Sequence, residues 1–220
     1  MAQIAEDLFL LLLDNASAQP GLDKGRRERV LSGAVLLDLA YACMIRPAVA
    51  GEAVETGRLL ALSGTGPMDP VVEPAFQLLL RRPLSPAAAV AKLRRSTEEN
   101  LVEHLERTGE IRRIRLHTKR FNRSYAFPLT NRDRVTQARA AMLSALFDRR
   151  YPAPSTAAII SLLHAVDGLG ALLSLNERGW RWVHDRASEI ASGAWVDGSD
   201  AALPEVNLAV TASAVRPALL

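Results

Sequence analysis

Between Val30 and Ile45 the chain reads V-L-S-G-A-V-L-L-D-L-A-Y-A-C-M-I, apolar at almost every position. Its residue types, Leu, Ala and Val, favour helix. A helix that is apolar nearly all round has no face for water, so it needs neighbours on every side. Ser32 and Asp38 interrupt the run, and it is shorter than the ~20 apolar residues that span a bilayer. It is therefore read as the central buried helix of a helical domain, beginning near Gly25 after the charged turn Lys24, Arg26, Arg27, Glu28, Arg29. Asp38 then becomes a buried carboxylate. It needs a partner, and an arginine from elsewhere in the chain is expected.

The rest of the chain can surround such a helix. Apolar periodicity predicts helices over Ala2–Leu13, Val71–Leu80, Ala87–Lys92, Thr97–Arg107, Arg132–Arg149, Thr156–Leu175, Arg178–Ser192 and Glu205–Val215. Ser85 before Pro86 has the pattern of an N-cap and first helical residue, and Gly109 that of a helix exit. Short strand-like pieces at Ala48–Ala50 and Arg58–Leu62 suggest a small hairpin. From Ile114 to Phe127 the apolar period shortens to about two, which predicts a second hairpin within residues 111–127, turning between Thr118 and Asn122. The expected fold class is mainly α: a single globular helical domain, residues 1–220, with a protruding β-hairpin.

Charge is unevenly spread. Residues 81–150 hold 17 Lys/Arg against 7 Asp/Glu, a balance of +10, and the other residues hold 10 against 17, a balance of −7. A basic segment on an otherwise acidic chain points to an anionic partner, a membrane surface or a nucleic acid. The polar face of the second hairpin is basic at Arg113, Arg115, Lys119, Arg120 and Arg123. A helix followed by a basic hairpin also describes a winged helix that meets DNA phosphates. The preceding helix is acidic at Glu98, Glu99, Glu103 and Glu106 and would repel DNA, so nucleic acid is the weaker reading.

Catalytic and metal-binding patterns are missing from the sequence. His104, His117, His164 and His184 show no metal-ligand spacing with one another or with Cys43. His164 and Asp167 read as a locally satisfied pair. No glycine-flanked serine elbow is present, and Gly64-Thr65-Gly66 lacks the lysine and helix start of a phosphate-binding loop. Neither enzyme activity, a cofactor nor a metal is expected. Cys43 sits among apolar residues and reads as a buried, inert thiol. Glu6 and Asp7 stand where a secretion signal would carry Lys or Arg, so a cytoplasmic location is expected.

The order of these segments resembles the Golgi phosphoprotein 3 family, which includes a yeast vacuolar sorting adaptor. Ala5–Asp14, A-E-D-L-F-L-L-L-L-D, looks like the family's opening helix, and Ser32–Ile45 is similar to its central helix. Leu101, Leu105 and Gly109 match the pattern before the family's hairpin, Phe127–Asn131, F-P-L-T-N, matches the step after it, and Ile159–Leu173 resembles a later helix. The resemblance implies a peripheral membrane adaptor on the cytoplasmic face of a membrane. Family members bind phosphatidylinositol 4-phosphate through a tryptophan and arginines and grip the cytoplasmic tails of client membrane proteins. Their hairpin supports self-association and membrane contact. Carried over, Arg95 matches one headgroup arginine, whereas Glu98 and Ser32 stand where the family has others. No tryptophan lies near Asp23–Lys24. Charge and proximity add Arg94, Lys24 and Arg27 as headgroup ligands. Arg113, Arg115, Lys119, Arg120, Phe121 and Arg123 are the hairpin residues expected at a membrane or in a homo-oligomer. The Ala- and Arg-rich composition suggests a bacterial source, where the plasma membrane would take the Golgi's place.

Overall fold

Asp23 starts the central helix α2 (Lys24–Tyr41) by accepting a hydrogen bond from Arg26 N at 3.1 Å. The computed structural model describes residues 3–62, 68–116, 124–196 and 201–220. From Val30 to Ala40 every residue of α2 is buried, as an all-apolar helix requires. Around it pack α1 (Gln3–Leu13), α5 (Thr97–Arg107), α7 (Pro154–Ala165) and α9 (Leu203–Val215). The remaining helices are α3 (Glu73–Arg81), α4 (Pro86–Leu93), α6 (Asp133–Phe147) and α8 (Glu177–Ala191). Gly33 lets α7 and the C-terminus approach α2 closely: a Cβ there would lie 2.9 Å from Leu162 Cδ2 and 3.3 Å from Leu219 Cδ2. The fold is mainly α, and one core cluster runs from Ile4 to Leu219.

Two antiparallel hairpins complete the described residues. In the first, β1 (Ile45–Pro47) pairs with β2 (Leu59–Ala61), with Ile45 opposite Ala61. In the second, β3 (Ile114–Leu116) pairs with β4 (Ser124–Ala126), and an Ile111–Leu129 bridge extends its stem. The expected turn between Thr118 and Asn122 lies outside the described residues. Phe127 N donates to Ala18 O at 2.7 Å, and the Phe127 ring lies 6.3 Å from that of Phe9. The base of this hairpin is thereby fixed to α1 and the loop that follows it.

Three helix ends share one device. After α5, Glu110 N bonds Leu105 O and Gly109 N bonds Glu106 O, with Gly109 at φ +79°. This satisfies carbonyls that a helix end leaves open. The same pattern ends α2 at Cys43 (φ +54°), where Met44 N bonds Leu39 O, and α7 at Asp167 (φ +51°), where Gly168 N bonds Leu163 O. Hence α2 stops at Tyr41 and not Ile45, and α7 at Ala165 and not Leu175. Cys43 is half-buried at this exit, which corrects the expected buried thiol.

The partner of Asp38 is also not the expected arginine. Its carboxylate accepts from the backbone of α1, from Ile4 N at 2.8 Å and Ala5 N at 3.0 Å. The first N–H groups of a helix have no intrahelical acceptor, so a buried acid there serves as a cap. Burial nevertheless pushes the Asp38 carboxyl up to about 8, with the nearby charge of Glu6 adding to the rise. Arg134 of α6 serves other acids. Its Nη1 lies 2.6 Å from Glu6 and its Nε 2.6 Å from Asp7, two carboxylates on α1 that are nearly withdrawn from water.

Candidate functional site

The first turns of α2 carry Lys24, Arg27 and Glu28 along one edge. Arg94 ends α4, with its N–H bonded to Val90 O at 3.0 Å, and Arg95 follows in the corner before α5. Ser32 connects the two elements. It is fully buried, its hydroxyl donates to Glu28 O at 2.8 Å, and it sits 3.5 Å from Thr97 Oγ1, which itself donates to Leu93 O. A long charged side chain at position 32 would have to enter this packed contact. The small serine there leaves room for the α4–α5 corner to pack against the start of α2.

The result is an open cleft of about 450 Å³. Lys24, Arg27, Arg94 and Arg95 all line it, together with Glu28, Glu98, Glu99, Gln19 and, from the hairpin side, Tyr125 and Phe127. The cations differ in what they touch. Arg27 Nη2 lies 3.0 Å from Glu98 Oε1, and its Nη1 donates to Leu22 O at 2.8 Å, while its buried Nε has no partner among the described residues. Lys24 Nζ is 3.7 Å from Glu28 and is mostly in solvent. Arg94 and Arg95 are exposed, and neither forms an ion pair with a described residue. Chemically the cleft offers two free guanidiniums beside paired charges and an aromatic wall, an arrangement able to take phosphate oxygens bidentately.

The hairpin cations divide. Arg113 Nη1 is 2.8 Å from Glu99, its Nε 3.1 Å from Glu106, and its guanidinium lies 5.7 Å from the Tyr125 ring centre and 6.0 Å from that of Phe127. Burial works against its charge, but Glu99 and Glu106 outweigh this and hold its pKa above the ordinary arginine value. Arg113 therefore braces the hairpin against α5. Arg115 is exposed on β3 beside Ile114, an exposed apolar residue. Lys119, Arg120, Phe121 and Arg123 lie outside the described residues. The acidic face of α5 is also less bare than its sequence suggests: Glu98, Glu99 and Glu106 each pair with an arginine, leaving Glu103 exposed.

Sequence reasoning missed Glu28, Gln19 and Tyr125 as cleft residues. The Lys24–Glu28 spacing of four was the available signal. It also missed the cluster at the start of α1, where Glu6, Asp69 and His104 bring one ligand atom each within 4.8 Å of the others. Arg134, bonded to Glu6, already supplies a positive charge there. The ring of His164 meets that of His184, centre to centre at 5.7 Å, and its Nδ1 has no partner among the described residues. His164 thus keeps Asp167 as a nearby charge and adds a contact between helices α7 and α8.

No helix among the described residues is long and apolar enough to cross a membrane. The family model described as Golgi phosphoprotein 3 matches residues 4–212 of the chain, a span that includes every residue lining the cleft. No curated protein matches the chain.

Proposed function

The chain belongs to the Golgi phosphoprotein 3 family, and from that membership we propose that it is a peripheral membrane-associating adaptor. Its cleft binds the phosphorylated headgroup of an anionic phospholipid, by the resemblance phosphatidylinositol 4-phosphate. The single observation supporting this is the meeting of Lys24, Arg27, Arg94 and Arg95, from two distant segments, around one open cleft. The cytoplasmic face of a membrane is the setting such a surface suits, with Arg115 and the hairpin as auxiliary contacts. Client tails are the partner class that the adaptor role implies.

Flotation with anionic vesicles tests the proposal. Phosphate contacts are electrostatic, so binding should be strong at low salt and should fall as salt screens the surface. Failure to float with vesicles containing phosphatidylinositol 4-phosphate at low salt would end the reading. Tight binding of duplex DNA with a steep salt slope, and none of vesicles, would replace it with the nucleic-acid alternative.

A further inference from the structure

We propose that the pocket where α1, α6 and α7 meet is a second binding site, for a free apolar α-amino acid. Asp7 takes its ammonium, the start of α7 its carboxylate, and Leu11, Met142 and Ile159 its side chain. The pocket shares no lining residue with the cleft and measures about 250 Å³. That is below the roughly 300–1,000 Å³ of sites for drug-sized ligands, so its occupant is small.

Two buried side chains of this pocket have bonding capacity left over. Asp7 Oδ1 lies 2.6 Å from Arg134 Nε, while its Oδ2 accepts no hydrogen bond from a described residue. Arg134 is shared: its Nη1 also lies 2.6 Å from Glu6 and 4.0 Å from Glu110. One guanidinium thus faces three carboxylates. Burial, with Glu110 adding to it, raises the Asp7 carboxyl, as befits an acid short of positive charge. An ammonium on Oδ2 supplies that charge. The second side chain is Thr156, which is 8% exposed and lines the pocket, and whose hydroxyl bonds to no described residue. Buried hydroxyls are normally satisfied, so this one is left for an occupant. Thr156 stands in the first turn of α7, where no side chain caps the helix. Ala157 N is the first to find an acceptor, Ala153 O at 2.9 Å. The free N–H groups of Ser155 and Thr156 suit a carboxylate. An ammonium, a carboxylate and an apolar group on one small molecule describe an α-amino acid. The wall of Leu11, Met142 and Ile159 disfavours a charged side chain.

The test is calorimetric titration of the full chain with leucine. The wild type should bind it saturably and should not bind glutamate. Leucinamide lacks the carboxylate and N-acetylleucine lacks the ammonium, so each should bind about tenfold more weakly. Asp7→Asn keeps an acceptor but removes the charge and should cost about tenfold, and Thr156→Val about fivefold, the worth of one charged and one neutral hydrogen bond. Asp7 also pairs with Arg134, so its variant can lose stability as well as binding. Ala141→Leu avoids this, because Ala141 is exposed on α6 and lines the pocket. It should abolish leucine binding while the thermal midpoint stays unchanged. If leucine does not bind at millimolar concentration, or binds Ala141→Leu and Thr156→Val as it does the wild type, the inference falls. If leucinamide or N-acetylleucine matches leucine, the pocket takes the end of a peptide chain, and the free amino acid is overturned.

Discussion

Removing the Asp38 carboxylate should loosen the start of α1 from the central helix. In Asp38→Ala the N–H groups of Ile4 and Ala5 lose their acceptor in a place water does not reach. Each buried unsatisfied donor costs ~1–3 kcal/mol, and loss of an N-cap costs ~0.5–2 kcal/mol. These overlap, so a total of ~2–5 kcal/mol is expected, a large share of a domain's stability. Asp38→Asn should cost less, because its amide oxygen still accepts. The pH dependence separates the charge from the hydrogen bonds. Folding raises the Asp38 carboxyl from 3.8 to about 8. Between those values the folded protein holds a proton that the unfolded chain has released, so this group's contribution to stability is present at low pH and is lost as pH rises toward 8. Urea unfolding followed by circular dichroism, repeated across that range, reads both effects. The advantage of the wild type over Asp38→Asn should shrink steadily with rising pH. An Asp38→Ala cost below ~0.5 kcal/mol would mean that Asp38 does not hold the start of α1, and parallel pH profiles for the wild type and Asp38→Asn would mean that folding does not raise its carboxyl.

Two other substitutions probe the same frame. Arg134→Gln leaves Glu6 and Asp7 without their guanidinium and should cost ~2–4 kcal/mol by urea unfolding, after discounting for the partial exposure of Arg134. Because burial already raises the Asp7 carboxyl, the cost should be smaller at about pH 5 than at about pH 8. Cys43→Gly relieves a left-handed residue at the end of α2 and should leave the protein unchanged or more stable by up to ~1 kcal/mol, measured as a rise in the thermal midpoint.

The architecture was legible where local chemistry decides it. Ser85 and Pro86 start α4 as expected, with Ser85 Oγ accepting from Ala88 N at 3.3 Å. Gly109 ends α5, and the change of period locates the second hairpin. The helix ends at Cys43 and Asp167 were not legible, because neither is the glycine that normally announces a left-handed exit. Asp38 shows a second limit. Its need for a partner follows from burial, but backbone N–H groups at the far end of another helix leave no trace in residue identity. The candidate site shows a third. Positive charge around Lys24, Arg27, Arg94 and Arg95 can be read from the sequence. Which of them are already paired, and that Arg113 turns inward to Glu99 and Glu106, depends on tertiary approach.

In the proposed function, Arg94 and Arg95 supply the free charge of an anion-binding cleft. Its most direct test is the affinity of Arg94→Ala/Arg95→Ala for vesicles carrying phosphatidylinositol 4-phosphate, beside Arg115→Ala on the hairpin. At ~1 kcal/mol per basic residue near the surface, the double variant should bind about 30-fold more weakly, and Arg115→Ala about fivefold. A double variant that binds as the wild type does would mean that the cleft is not the anion site.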